Sequence, residues 1–257
     1  MKSLIFAAGL GTRLKPITDS IPKALVPVCG RPLIEHVVRK LKVSGVDEAV
    51  VNVHHFADMI EKWAEGQDIM PLSVSDEREC LLETGGGVLH ARQLLDGCGK
   101  FLVHNVDIIS DLDIRWFASH MRDDAPAVLL VSERKTSRYL LFEPQTMRLV
   151  GWTNISTGEV RSPYPDLDVS ECRRLAFSGI HMLSDNIFPL MEEYAVSRGL
   201  YEHTETPRFP IMDFYLSVCA EHKIYGVEAV GLDIVDVGKL DTLQSAEEAV
   251  MRHCNNY

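Results

Sequence analysis

The residues of this sequence that could do chemistry begin within its first thirty positions. A short apolar run, Leu4–Ala8, stops at Gly9, and Gly11, Arg13 and Lys23 follow it. Glycines allow successive backbone N–H groups to approach an anion closely. The planar guanidinium of an arginine matches phosphate oxygens, and a lysine adds a point charge. The spacing therefore predicts a strand followed by a loop that binds a polyphosphate.

Neither of the common phosphate-binding patterns fits this loop. The dinucleotide pattern G-x-G-x-x-G/A requires a small residue where Leu14 stands. The Walker pattern, in which glycine and four residues precede Gly-Lys-Ser/Thr, does not occur in the sequence. A Rossmann oxidoreductase is therefore disfavoured.

Two aspartates are candidates for holding a cation beside this loop. Asp107 follows the apolar run Phe101–His104, and Asp236 lies within the apolar stretch Ile234–Gly238. Ligands of open α/β sheets sit outside the carboxyl ends of the strands, and an acid in an apolar run is costly to bury unless it is paired or binds metal. Two carboxylates can hold one Mg²⁺. Spacing alone leaves a cap or turn role equally open for both residues.

The segment Glu83-Thr84-Gly85-Gly86-Gly87 is a third candidate. Glycines at the start of a helix let the backbone lie flat against a planar ring, and a helix N-terminus favours nearby negative charge. The segment is therefore predicted to contact a nucleotide base. A flexible surface loop is the alternative that the residues leave open.

The elements that must position these residues follow a strand–helix alternation in the first half of the chain. Strands are predicted at Ala49–Val53, Ser73–Ser75, Phe101–His104 and Ala127–Val131, and helices at Pro32–Leu41, Ala57–Glu65, Val88–Leu95 and Ile114–Met121. Such spacing predicts an α/β fold with a doubly wound, mostly parallel, Rossmann-like sheet.

The pattern changes in the second half of the chain. From residue 137 to residue 182 no helix is predicted, and short apolar pieces alternate with turns, which indicates a small antiparallel β addition. Helices are predicted again at Asn186–Ser197, Ile211–Glu221 and Leu240–Arg252. Because no linker interrupts the sequence, residues 1–257 are predicted to form a single domain.

Composition restricts the partners of the protein. The net charge of −11 argues against nucleic acid or an anionic membrane as the main partner. No apolar run approaches the roughly 20 residues that span a bilayer. The six cysteines, Cys254 among them, contain no C-x-x-C pair, which favours free thiols in a reducing compartment over a disulfide framework. The protein is therefore predicted to be cytoplasmic.

Several of these segments together resemble the sugar-1-phosphate nucleotidyltransferases. Ala7–Pro16, followed by Pro22–Lys23, resembles the signature of that family. Val103–Asp107 is similar to its asparagine-glycine-aspartate metal motif, although valine stands in place of the glycine, and Val235–Gly238 is similar to the segment that supplies the second carboxylate. Phe177–Ile180 matches the segment that holds the sugar ring. The Glu-Lys-Pro motif of the thymidylyltransferase branch is absent.

The resemblance implies a role for each matching residue. The implied catalytic residues are Arg13, Lys23, Asp107 and Asp236, and the last two are the implied ligands of Mg²⁺. The implied nucleotide contacts are Ala8, Gly9, Leu10, Gly11, Thr12, Arg13, Lys23, Thr84, Gly85 and Gly86. The implied sugar contacts are Asn105, Ser178 and Gly179. Residues 1–135 then form a nucleotide-binding half and residues 136–257 a sugar-binding half.

The implied reaction joins a nucleoside triphosphate to a sugar 1-phosphate and releases pyrophosphate, as in the synthesis of cell-wall or polysaccharide precursors. Within the family, the Glu-Thr-Gly-Gly-Gly sequence of residues 83–87 favours uridylyl transfer to an amino-sugar 1-phosphate such as N-acetylmuramic acid 1-phosphate. Three alternatives stay open: a mannose-1-phosphate guanylyltransferase, a cytidylyltransferase for a choline-type phosphate, and a regulatory protein that senses nucleotide sugars without turnover. A homo-oligomer is equally open.

Overall fold

The computed structural model describes residues 1–201 and 205–253; Cys254 lies outside these ranges. The strands are β1 (Lys2–Phe6), β2 (Pro27–Val28), β3 (Arg31–Pro32), β4 (Glu48–Val53), β5 (Leu72–Asp76), β6 (Lys100–Asn105), β7 (Ile108–Ser110), β8 (Ala127–Ser132), β9 (Arg138–Phe142), β10 (Leu149–Asn154), β11 (Glu159–Arg161), β12 (Arg173–Ser184), β13 (Ile224–Glu228) and β14 (Ile234–Asp236). The helices are α1 (Leu33–Val43), α2 (Ala57–Gly66), α3 (Glu83–His90), α4 (Arg92–Leu95), α5 (Ile114–Ser119), α6 (Ile187–Ser197), α7 (Ile211–Val218) and α8 (Asp241–His253).

The centre of the fold is a parallel sheet in the order β5-β4-β1-β6. Strands β1, β4 and β6 contain buried apolar runs because helices cover both faces of the sheet. Leu4 and Ile5 of β1, for example, are fully buried and belong to two different core clusters. The predicted α/β fold with a mostly parallel sheet is confirmed.

The antiparallel addition of the second half is joined to this sheet through β12. This strand pairs antiparallel with β6, β8 and β9, and the order continues from β9 to β10 and β11. Its register against β8 shifts between Phe177 and His181, which indicates a β-bulge. The absence of a helix between residues 137 and 182, predicted from the sequence, is confirmed.

A separate two-stranded sheet brings distant parts of the chain together. Strand β14 pairs antiparallel with β7, and Asp236 lies opposite Ile108. The backbone N–H of Val237 donates to the carbonyl oxygen of Asp107 at 2.8 Å. The helix α8 packs its buried residues Ala246 and Val250 into the same small core as β7. This sheet therefore places the two candidate aspartates side by side.

Helix α3 begins earlier than predicted, at Glu83 rather than Val88. Its glycines are buried against the segment that precedes α7: a Cβ on Gly86 would collide with the carbonyl oxygen of Pro207, and one on Gly85 would collide with the ring of Phe209. Tertiary packing thus overrides the low helix propensity of glycine. The predicted helix ended at Leu95, where the structure has the separate short helix α4.

Two further observations concern membrane-spanning helices and the cysteine side chains. Within the described ranges, no helix combines the length and the apolar character that crossing a bilayer requires. Each described cysteine is a free thiol: Cys29, Cys80, Cys98, Cys172 and Cys219.

Candidate active site

A cavity of about 540 Å³ lies at the carboxyl ends of β1, β4 and β6. Ligands of open α/β sheets bind at this edge. The predicted site residues that line the cavity are Ala8, Gly9, Leu10, Gly11, Thr12, Arg13, Lys23, Thr84, Asn105 and Asp107. Asp236, Ser178, Gly179, Gly85 and Gly86 are not among its lining residues. The structure therefore brings the glycine loop (residues 9–12), the two predicted cations Arg13 and Lys23 and the predicted carboxylate of Asp107 around one cavity.

The shape of the glycine loop depends on Gly11. Its φ is +64°, a left-handed conformation that side chains disfavour, and a Cβ there would lie 2.9 Å from Cγ2 of Thr18. The hydroxyl of Thr18 donates to the carbonyl oxygen of Gly11 at 2.8 Å, and the backbone N–H of Leu14 donates to the same oxygen at 2.9 Å. Substitution of Gly11 would therefore move the loop that carries Arg13.

A buried polar pair, Asn52 and Glu77, supports the start of this loop. Oδ1 of Asn52 accepts hydrogen bonds from the backbone N–H groups of Ala7 at 2.7 Å and Ala8 at 3.2 Å. Its Nδ2 donates to Oε1 of Glu77 at 2.7 Å, and both side chains line the cavity. Burial raises the pKa of the Glu77 carboxyl group. Sequence reasoning missed this pair, although an asparagine within the apolar strand Ala49–Val53 was a visible signal.

We expect the substitution Asn52→Ala to lower the free energy of unfolding by about 2–4 kcal/mol, because it leaves two buried N–H groups and one oxygen of the buried Glu77 carboxylate without their partner. The KM for the nucleoside triphosphate that the family resemblance implies should rise as well, since the Ala7–Ala8 backbone lines the cavity. Urea unfolding and steady-state kinetics measure the two effects. Asn186→Ala is the control, because Asn186 is exposed and makes no capping bond. Equal stability of the two variants would contradict the supporting role.

Lys23 and Asp107 form an ion pair in the cavity. Their side chains are only 11% and 16% exposed. The pair lies at the end of β6, where the backbone N–H of Val106 donates to the carbonyl oxygen of Phe6 at 3.1 Å. Val106, which stands where the family motif has glycine, is 4% exposed and also lines the cavity. The predicted cation and the predicted carboxylate thus neutralise each other here.

Asp236 lies beside this pair, and one of its carboxylate oxygens lacks a hydrogen-bond partner in the described ranges. Its Oδ1 is buried and accepts no hydrogen bond from the residues that the structure describes. Burial, and next the charge of Asp107, raise the pKa of the Asp236 carboxyl group. A Cβ on Gly238 would lie 2.8 Å from Oδ1 of Asp236 and 2.9 Å from Nη2 of Arg13, so glycine lets both groups approach one point.

The predicted sugar contacts lie next to the same edge of the sheet. Gly179, with φ +72°, sits in the bulged part of β12, and a Cβ there would lie 2.8 Å from Nδ2 of Asn105. Asn105 lines the cavity. The hydroxyl of Ser178 is buried and has no hydrogen-bond partner in the described ranges. A direct sugar contact stays a prediction for all three residues.

The glycines of α3 have a packing role that the sequence did not predict. The backbone N–H groups of Gly85 and Gly86 both donate to the carbonyl oxygen of Phe209, at 2.8 Å and 3.2 Å. The hydroxyl oxygen of Thr84 accepts a hydrogen bond from the backbone N–H of Ile211 at 2.9 Å. Thr84 still lines the cavity, whereas Gly85 and Gly86 are buried. A direct contact of these two glycines with a base stays a prediction.

A family model described as nucleotidyl transferase matches residues 2–146, which is more than half of this chain. The matched span includes the glycine loop, Lys23 and Asp107. The chain belongs to the nucleotidyl transferase family. The resemblance to sugar-1-phosphate nucleotidyltransferases and the predicted enzyme class are confirmed.

Two curated relatives illustrate where this nucleotidyltransferase stands. It is 36% identical over 193 residues to the N-acetylmuramate alpha-1-phosphate uridylyltransferase of Caulobacter vibrioides. The alignment covers 72% of this chain and 76% of that protein. It is 34% identical over 157 residues to the mannose-1-phosphate guanyltransferase beta-B of Xenopus laevis. That alignment covers 58% of this chain and 43% of that protein. The chain therefore spans less than half the length of the guanyltransferase.

Solved structures share the fold over nearly the whole chain. The inositol-1-phosphate CTP transferase of T. maritima has a TM-score of 0.76 at 14% identity, with 99% of this chain and 96% of that chain covered. A putative glucose-1-phosphate thymidylyltransferase of Bacillus anthracis, in complex with a sucrose, has a TM-score of 0.76 at 20% identity, with 100% and 97% covered. At such identities the similarity establishes the fold alone.

Proposed function

We propose that this nucleotidyltransferase transfers a uridylyl group from UTP to an amino-sugar 1-phosphate, giving a UDP-sugar and pyrophosphate. The observation that carries the transfer chemistry is the pairing of β7 with β14, which sets Asp236 beside Asp107 at the edge that holds the glycine loop. In this proposal residues 1–135 bind the nucleotide and residues 136–257 bind the sugar.

The two aspartates fit a divalent cation. The buried, unpartnered Oδ1 of Asp236 and the carboxylate of Asp107 are hard oxygen donors, which Mg²⁺ prefers. No cluster of three or more acidic, histidine or cysteine side chains suited to a metal occurs in the described ranges. That small donor set fits Mg²⁺, which is held by one or two carboxylates together with water and substrate phosphates. When bound, Mg²⁺ supplies positive charge that stabilises the phosphates during transfer.

The side chains of this chain then act by positioning and by charge. An oxygen of the sugar phosphate attacks the α-phosphorus, a new P–O bond forms, and the bond to the β-phosphate breaks as pyrophosphate leaves. No protein nucleophile is needed for such a displacement. Residues 9–12 cradle the triphosphate, Arg13 stabilises the departing pyrophosphate, and Lys23 neutralises charge at the α-phosphate or the attacking phosphate.

The choice of base and sugar is supported by the Caulobacter relative, whose name gives uridylyl transfer to N-acetylmuramate 1-phosphate. Guanylyl transfer to mannose 1-phosphate is the second candidate, and the Xenopus relative supports it over a shorter alignment. The free thiols in the described chain and the absence of a C-x-x-C pair support a cytoplasmic location.

Pyrophosphate release in the presence of Mg²⁺ tests the proposal. UTP, GTP, CTP and dTTP are crossed against N-acetylmuramic acid 1-phosphate, N-acetylglucosamine 1-phosphate, mannose 1-phosphate and phosphocholine, with an Asp107→Ala sample as the control for contaminating activity. Release with UTP and an amino-sugar 1-phosphate supports the proposal. Release with GTP and mannose 1-phosphate, or with CTP and phosphocholine, replaces it by the corresponding alternative. Triphosphate binding without release from any pair favours the sensor.

A further inference from the structure

Arg134, two residues after the end of β8, is a cation that the proposed reaction does not yet use. Its Nη2 donates to the carbonyl oxygen of Phe177 at 2.8 Å. Its Nε is buried and has no hydrogen-bond partner among the residues that the structure describes. A buried N–H that donates to nothing is costly, and a guanidinium carries five N–H groups suited to an anion. Arg134 is therefore a candidate to bind an anionic ligand.

The position of Arg134 connects the two halves of the site. Phe177 directly precedes Ser178 and Gly179, in the bulged part of β12 next to Asn105. On the other side, the guanidinium charge of Arg134 acts on the carboxyl group of Asp236. Arg134 thus contacts the strand proposed to hold the sugar and acts electrostatically on the acid proposed to hold the cation.

The surroundings of Arg134 form a groove of about 480 Å³ with an excess of positive charge. Arg134, Lys135 and Arg174 line it, against the single carboxylate of Glu133. Tyr139 and Ile155 complete the lining and offer apolar surface. Three cations around one groove are unexpected in a chain whose net charge is −11, and they favour an anionic occupant.

We propose that this basic groove binds an anionic group of the acceptor substrate, with Arg134 as the residue that contacts it. The inference rests on the proposed function, because it assumes that the acceptor is a sugar 1-phosphate. Two groups share the required chemistry: the 1-phosphate itself, and a second acid such as a carboxylate on the sugar. Either group accepts paired hydrogen bonds from a guanidinium.

Calorimetric titration of two acceptors separates these sources. N-acetylglucosamine 1-phosphate and N-acetylmuramic acid 1-phosphate differ by a carboxylate-bearing ether. Each is titrated into the wild type, Arg134→Gln and Arg134→Lys. Glutamine removes the charge but keeps an N–H for the carbonyl oxygen of Phe177, whereas lysine keeps the charge. Arg138→Gln is the matched control, since Arg138 is an exposed cation of β9 that does not line the groove.

We expect Arg134→Gln to weaken acceptor binding by about 10- to 100-fold, as for the loss of a charged hydrogen bond, and Arg134→Lys to recover part of it. Affinity for UTP should stay within about twofold of the wild type. A loss for both acceptors assigns the groove to the 1-phosphate, and a loss for the carboxylate-bearing acceptor alone assigns it to the second acid.

Three results overturn the inference: no acceptor binding by the wild type, acceptor affinities of Arg134→Gln within twofold of the wild type, or an equal loss in Arg138→Gln. A thermal melt of each variant shows whether it is folded. If the glutamine variant does not fold, the acceptor affinity of the lysine variant is compared with that of the wild type instead. Because binding is measured without turnover, a wild type that binds acceptors through Arg134 but releases no pyrophosphate would disprove the proposed function and leave this inference standing.

Discussion

Asp236→Asn should reduce kcat by about 10³-fold, corresponding to about 4 kcal/mol of transition-state stabilisation by a bound cation. The substitution keeps the shape of the side chain and removes one of the two carboxylates proposed to hold Mg²⁺. Affinity for Mn²⁺, measured by electron paramagnetic resonance, should fall together with the rate. The residual activity reflects the cations Arg13 and Lys23, which remain in place.

The stability of Asp236→Asn should not follow its activity. Because burial raises the pKa of this carboxyl group and Oδ1 accepts no hydrogen bond from the described chain, the charged form is poorly solvated, and a neutral amide removes that cost. We expect a thermal midpoint equal to or above that of the wild type. Asp166→Asn, at an exposed loop position, should change neither quantity. A lower midpoint with normal Mn²⁺ affinity would mean that Asp236 serves the fold alone.

Local features of the sequence were sufficient to predict one part of the site. The loop after β1 was predicted because apolar runs, glycines and cations are close together in the chain, and the structure places this loop and Lys23 in the cavity. The mostly parallel sheet followed from strand–helix spacing. Spacing alone left the meeting of Asp107 and Asp236 open and the family resemblance favoured it, since the pairing of β7 with β14 joins residues far apart in sequence.

Other features depend on packing that a single sequence does not reveal. The early start of α3 requires the contact of Gly85 and Gly86 with Pro207 and Phe209, which are distant in the chain. The Asn52–Glu77 bond likewise joins β4 to the segment after β5. The site's polar support therefore comes from long-range pairs, whereas its glycine loop is local.

Lys23→Ala is expected to lower kcat by about 10²-fold, as for the loss of one group that stabilises charge in a transition state. It should also lower the free energy of unfolding by about 2 kcal/mol without metal, between the values for exposed and for buried ion pairs, because the side chains of this pair are only 11% and 16% exposed. The substitution leaves Asp107 without its cation and close to the second carboxylate of Asp236.

Mg²⁺ should partly restore the stability of Lys23→Ala, and by more than it stabilises the wild type. In the wild type a cation must compete with the ammonium group for Asp107, whereas in the variant it meets an uncompensated pair of carboxylates. Bound metal at 100 times its Kd adds about 2.7 kcal/mol, so thermal melts with and without Mg²⁺ resolve the difference. Lys62→Ala, which removes an exposed lysine of α2, controls for net charge. Equal stabilisation of Lys23→Ala and the wild type by Mg²⁺ would place the cation away from Asp107. Greater stabilisation of the variant would mean that Lys23 occupies the place of the cation until substrate and metal arrive together.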